Sequence, residues 1–185
     1  VAKEAFAGLS NLVALNLAGN QIDHLEAGSF DRTAGLQVLR LDGNALTDIN
    51  GLFAGLHSLR WLNVSANRIP LFDYSFLPAN VEWLDIHQNN LAELGNYFQI
   101  QLPNLQALDA SFNQLTDLTP DSVPDSVVQF FVNDNRIATI AANTFLKKAN
   151  LSRVDLNSNN LRTLDPACAS CSNSNPRATG WPFSR

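Results

Sequence analysis

Two cysteines, Cys168 and Cys171, stand in the segment Cys-Ala-Ser-Cys, and the three histidines, His24, His57 and His87, lie far from them in the chain. A structural zinc site needs four ligands, and no second cysteine pair follows. A thioredoxin-type dithiol needs a βαβ setting, which the surrounding sequence lacks. The pair therefore reads as a capping remnant or a tail, its thiols free or joined in a disulfide. No metal and no cofactor is implied. There is no Gly-rich phosphate loop, no zinc-protease helix motif and no nucleophile elbow, so the chain does not read as an enzyme. Two Asn-x-Ser sequons, Asn63-Val64-Ser65 and Asn150-Leu151-Ser152, are glycan acceptors if the chain is secreted.

Composition narrows the remaining classes. Of 185 residues, 45% are hydrophobic and 16% charged, with a net charge of −5. That is globular composition and not disorder. The basic residues are scattered, with Lys147-Lys148 the one adjacent pair. A nucleic-acid binder would carry a basic stripe, so none is expected as a partner. No apolar run approaches the roughly 20 residues of a membrane span. The first residues lack the apolar centre of a signal peptide.

Internal self-similarity supplies the scaffold. The pattern Leu-x-x-Leu-x-Leu-x-x-Asn-x-Leu, with conservative apolar swaps, occurs seven times, from Leu12–Ile22 to Leu151–Leu161. Its asparagines are Asn20, Asn44, Asn67, Asn89, Asn113, Asn135 and Asn159, spaced 24, 23, 22, 24, 22 and 24 residues apart. Apolar residues two apart, such as Leu39 and Leu41, face one side of a short strand. An asparagine side chain both donates and accepts, so stacked repeats align the seven in a buried ladder that satisfies turn backbone. Nine or ten residues after each of the first six asparagines comes an apolar residue: Phe30, Phe53, Phe76, Phe98, Val123 and Phe145, with Phe6 in the same place before the first repeat. One coil cannot bury its own apolar side, but stacked coils can. The fold class is an α/β leucine-rich-repeat solenoid. A parallel sheet lines its concave face, and turns and short helices make the convex side. Pro78 and Pro124 disfavour helix in the two shorter repeats.

Residues 1–165 form the solenoid. Residues 1–9 match a returning segment, and seven full repeats follow. Residues 166–185, rich in Ser, Asn and Pro, form a tail or an incomplete C-terminal cap. An uncapped solenoid exposes its core edge, so end-to-end association or a homodimer is expected.

Side chains between and beside the core leucines project from the concave face. Trp61 and Trp83 hold equivalent positions in adjacent repeats, as binding anchors or as rings that shield each other. Asp85, Asp109 and Asp155 form a discontinuous acidic column with Arg40 and Arg153 beside it, suited to orienting a partner. His87 lies on the same face as Asp85, and Phe131 takes the equivalent position between Asp109 and Asp155. Trp61, Trp83, Asp85, His87, Asp109, Arg40 and Phe131 make the candidate ligand patch. A sugar on Asn63 would stand next to the tryptophans.

Several segments resemble the ectodomain repeats of the Toll-like receptor family, especially the long Tollo-type insect Toll receptors. They are Gly51-Leu52-Phe53, Ser58-Leu59-Arg60-Trp61-Leu62-Asn63-Val64-Ser65, Phe72-Asp73-Tyr74-Ser75, Glu82-Trp83-Leu84-Asp85-Ile86-His87, Leu108 to Leu115, Val123 to Val127, and Lys148 to Leu156. The resemblance covers roughly residues 1–165. It implies a soluble piece of a single-pass plasma-membrane receptor whose extracellular part binds ligand, in innate immunity or developmental signalling. The partners it implies are Spätzle-like cytokines or another cell-surface receptor, with N-glycans on the chain. The family's cysteine-rich caps, membrane span and signalling domain are not in this chain, and residues 172–185 match no family segment. Two other readings fit the repeats: an adhesive or matrix repeat protein, and an intracellular repeat scaffold or inhibitor.

Overall fold

A computed structural model describes residues 1–95 and 102–162. Seven three-residue strands form one parallel sheet: β1 (Ala14–Asn16), β2 (Val38–Arg40), β3 (Trp61–Asn63), β4 (Trp83–Asp85), β5 (Ala107–Asp109), β7 (Gln129–Phe131) and β9 (Arg153–Asp155). Each strand pairs with the next coil in register, so Leu15, Leu39, Leu62, Leu84, Leu108, Phe130 and Val154 lie side by side. The central leucine of the repeat thus becomes one continuous row. From Leu39 to Phe130 that row is fully buried.

The strands are short because each coil must leave the sheet at once. The residue before every ladder asparagine has left-handed backbone: Gly19 and Gly43 (φ +66°), then Ala66, Gln88, Phe112, Asp134 and Ser158 (φ 49–54°). That conformation turns the chain off the strand and is normally reserved for glycine. The asparagine then locks the turn. Nδ2 of Asn67 donates to the carbonyls of Val64 in its own coil and Leu41 in the preceding one, both at 3.0 Å. Its Oδ1 accepts from Leu46 N at 2.9 Å. Asn44, Asn89, Asn113, Asn135 and Asn159 repeat this three-way bond. The sequence predicts seven buried asparagines, but burial along the ladder is not uniform, because the end coils lack a neighbour on one side. Asn67, Asn89, Asn113 and Asn135 are buried, Asn44 and Asn159 half-buried, and Asn20 is exposed. Asn20 bonds within its own coil, to Leu17 and Ala18.

The returning side fills the core with rings. Phe30, Phe53 and Phe145 are buried, as is Val123. Phe6 stacks on Phe30 at 5.7 Å. Phe76 is only half-buried, because Tyr74 takes the deep place in that coil and packs edge-on against Phe72 at 5.1 Å. Phe98 lies outside the described residues, as do Cys168 and Cys171. The two prolines expected to oppose helix do so only in part. Among the described residues the helical turns are 3₁₀ turns at Tyr74–Phe76 and Pro120–Ser122, both in the shorter repeats. Pro78 and Pro124 follow their C-caps, Leu77 and Val123, and mark where the turns stop. A second small parallel pair, β6 (Asp117–Leu118) with β8 (Thr139–Ile140), joins two later coils away from the main sheet.

Candidate functional site

On the solvent face of the sheet, Trp61 and Trp83 are direct partners across β3 and β4, both half-buried. Parallel strands lie about 4.8 Å apart, so the two indoles begin as lateral neighbours. Beyond Trp83 the register partner is Ala107, and beyond that Gln129. Ala107 faces the same side yet is 1% exposed, flanked as it is by these larger neighbours.

Two residues along each strand lies a polar position. Asn63, Asp85 and Asp109 are register partners in sequence, and they are 8%, 6% and 9% exposed. An open acidic column was expected; these side chains are tucked in. The physical reason is local. Oδ1 of Asp109 accepts from Ser111 N at 2.9 Å and Ser111 Oγ at 2.6 Å, closing a turn at the strand end. Asn63 holds Ser65 in the same way, at 2.9 and 2.6 Å. Asp85 accepts from His87 N at 3.1 Å, Asp155 from Asn157 N at 3.1 Å and Asn16 from Ala18 N at 3.0 Å. The same turn buries the first sequon, so the Asn63 side chain does not stand free beside the tryptophans. Asn150, in the second sequon, is exposed, and its Nδ2 donates to the Asp125 carbonyl at 3.2 Å.

The imidazole of His87 adds a second bond to Asp85, Nδ1 to Oδ1 at 2.6 Å. This bond holds the His87 pKa above its ordinary value, against a smaller opposing effect of burial. Burial pushes the Asp109 carboxyl up, partly countered by the two Ser111 bonds. Arg40, on the neighbouring strands, is clamped by Asp42 through Nε (3.0 Å) and Nη2 (2.9 Å). That pair raises the Arg40 pKa and neutralises its charge locally. At the far end Arg153 lies 4.8 Å over the Phe131 ring. The patch residues therefore share one face but fall into three groups: Arg40 with Asp42, the Trp61–Trp83 pair beside Asp85, His87 and Asp109, and Phe131 with Arg153.

Donor atoms of Asp85, His87 and Asp109 lie within 4.8 Å of one another. Zinc bonds of 2.0–2.2 Å hold tetrahedral ligands about 3.3 Å apart. The 2.6 Å Nδ1–Oδ1 contact is a hydrogen bond at shorter range than that, so the histidine nitrogen nearest the carboxylates is already engaged.

Phe112 is absent from the residues singled out above. It is 54% exposed, with left-handed backbone, at the turn that follows Ser111. Its signal was its place: it sits where Gly19 and Gly43 sit in the first coils, a position no packing argument assigns to an aromatic ring.

A family model described as Leucine rich repeat matches residues 10–69, and a second of the same description matches residues 104–125. This chain is a leucine-rich-repeat protein. Toll-like receptor 7 of Drosophila melanogaster is 48% identical to it over 124 residues, which are 66% of this chain and 9% of the receptor. The sequence resemblance to Toll receptor ectodomains is thus matched by a direct relative. Lumican of Mus musculus is 29% identical over 80% of this chain and 51% of its own, and keratocan of Gallus gallus 31% identical over 87% and 46%. The chain spans a tenth or less of the receptor and about half of the matrix relatives. A solved leucine-rich repeat domain of APL1B superposes with a TM-score of 0.72 at 23% identity, over 87% of this chain and 46% of that one, a likeness of fold. Leucine-rich-repeat chains of this kind are protein-interaction modules. No helix among the described residues is long and apolar enough to cross a membrane.

Proposed function

We propose that this leucine-rich-repeat chain is a non-enzymatic binding segment of a Toll-type receptor ectodomain, acting on the outer side of the plasma membrane. The observation that carries the reading is the 48% identity to Drosophila Toll-like receptor 7. The sheet face supports it, since paired tryptophans in register beside buried polar side chains are the composition of a binding hot spot. Its partner is a protein, a Spätzle-like cytokine or another cell-surface receptor, in innate immune or developmental signalling. Of the two sequons, exposed Asn150 is the glycan acceptor and buried Asn63 is not.

The test is a surface-plasmon-resonance screen of the secreted chain against cystine-knot cytokines and receptor ectodomains, followed by Trp61→Ala/Trp83→Ala. Affinity should fall at least about tenfold, the scale of a hot-spot anchor, with the melting temperature held. Unchanged affinity removes the sheet face as the contact surface.

The similarity to lumican and keratocan favours a second reading, an adhesive or matrix role through contacts between copies. Sedimentation separates the two. A concentration-dependent dimer supports adhesion, and a monomer at all concentrations supports simple ligand binding.

A further inference from the structure

An asparagine is lost when the backbone nitrogen of the next residue attacks its Cγ. In the ladder that nitrogen is tied up. After Asn44, Asn67, Asn89, Asn113, Asn135 and Asn159, the next N–H donates to a carbonyl of the preceding coil at 2.8–2.9 Å. Each of these side-chain amides is bonded as well. Asn20 lies outside that rule, but Gln21 brings a Cβ to the attacking nitrogen. The one Asp-Gly step, Asp42-Gly43, is locked in the same manner. Asp42 grips Arg40 through both carboxylate oxygens, and Gly43 N donates to the Ser65 carbonyl at 3.0 Å.

Asn50-Gly51, the one Asn-Gly step in the chain, escapes these restraints. It lies on the returning segment between β2 and β3, and both residues are exposed. Leu52 N donates to the Ile49 carbonyl at 3.3 Å and closes a turn around the two. Gly51 holds the third position of that turn with φ +69°, where glycine is favoured. Asn50 N is held by Oδ1 of Asp48 at 2.8 Å. Among the described residues, neither the Asn50 side chain nor the Gly51 N–H makes a hydrogen bond. Even a Cβ placed on Gly51 would meet no atom within 4 Å, so the space around the attacking nitrogen is open.

We propose that Asn50 is a self-modification site, at which the folded chain converts its own asparagine to isoaspartate and aspartate with water as the only co-reactant. The Gly51 amide gives up its proton to water or hydroxide, and its nitrogen bonds to Cγ of Asn50. The Cγ–Nδ2 bond breaks, and ammonia leaves with a proton from water. The product is a five-membered succinimide. Water then opens the ring, at the main-chain carbonyl to give isoaspartate or at Cγ to give aspartate. Nothing is oxidised or reduced. Either product sets a new negative charge beside Asp48. Isoaspartate also lengthens the loop that the Leu52–Ile49 bond closes, between side chains that are both buried. The returning side of the second coil, which seats Phe53, is therefore the part of the solenoid that alters with age.

The experiment ages the folded chain at physiological temperature, at mildly acid and mildly alkaline pH, beside the free tryptic peptide Leu41–Arg60 cut from it. That peptide carries Asp42-Gly43, Asn44 and Asn50-Gly51 together, so electron-transfer fragmentation reads all three sites in one spectrum. In the folded chain Asn50 should gain one mass unit, chiefly as isoaspartate, and faster at the higher pH. Its rate should lie within about tenfold of the free peptide's, since an exposed turn needs no opening first. Asp42 and Asn44 should react at least about tenfold more slowly in the folded chain than in the peptide, because their reaction waits on local opening. Asn50→Gln, whose ring would need six atoms, should abolish the change, with circular dichroism checking that the fold is kept. Protection of Asn50 by folding to the same degree as Asp42 and Asn44 would overturn the proposal. So would loss of Asn44 in the folded chain at the rate of Asn50.

Discussion

The Tyr74 hydroxyl donates a 2.7 Å hydrogen bond to the carbonyl of Ser122, 48 residues further along the chain. Both groups are buried, and the bond ties the two 3₁₀ turns together across the coil between them. It reaches two repeats away, whereas the asparagine ladder reaches only one. Tyr74→Phe keeps the edge-on packing with Phe72 but strands a buried carbonyl. It should cost about 1–3 kcal/mol, read as a lower urea midpoint with an unchanged m-value.

Ladder position decides what an asparagine is worth. Asn113→Ala removes an acceptor from Leu91 N at 3.0 Å and a donor shared by Ile86 and Ala110, all buried. It should destabilise by about 1–3 kcal/mol. Asn20→Ala, at an exposed position bonded only within its own coil, should stay within about 0.5 kcal/mol. Equal losses in the two denaturation curves would refute the cross-coil account.

These contrasts mark the limit of what the sequence discloses. The strand register and the phenylalanine core were legible because a repeat imposes them: once Leu39 and Leu62 are equivalent, stacking puts them side by side. Tyr74 in the deep place of Phe76 was not legible, since both rings fit the apolar pattern and only packing chooses between them. The face on which the candidate residues stand was legible in the alternation of the strands, and their depth was not. Alternation says that Asp85 and Asp109 point away from the core. It does not say that an aspartate two residues before a serine or histidine folds back to close its own turn.

Gly95 meets Asp73 of the preceding coil at close range. A Cβ there would lie 2.7 Å from Asp73 Cα and 2.8 Å from the Phe72 carbonyl oxygen. Both are backbone atoms that cannot rotate aside. Gly95→Ala should destabilise by about 1–3 kcal/mol through forced separation of the coils. Gly51→Ala meets no atom within 4 Å, so its cost should come from its φ of +69° alone, about 1–2 kcal/mol. Calorimetric melting of the two variants checks the order.

Stability should fall as pH rises, through two groups. His87 has a raised folded pKa, chiefly from the Asp85 hydrogen bond. Its contribution is complete below the unfolded value of about 6.5 and is lost as pH climbs through the folded value. Asp109 is raised by burial, so the folded state disfavours its charged form once pH passes the unfolded value of about 4. Melting temperature measured from pH 4 to 8 should decline across both ranges. His87→Gln should flatten the upper part and Asp109→Asn the lower part. A slope unaltered by either substitution would assign the effect elsewhere.

The strands pair only with the coils before and after them, and each ladder asparagine fastens a coil to the one it follows. Mechanical load along the stack is therefore borne serially, like the teeth of a zip. Under an optical trap the coils should release one at a time. Each would add 22 to 24 residues of slack, about 75–85 Å at the reach of an extended chain. The Tyr74–Ser122 tie would make the middle coils give way together. A molecule built this way can yield at one end under tension while the tryptophan-bearing strands keep their register.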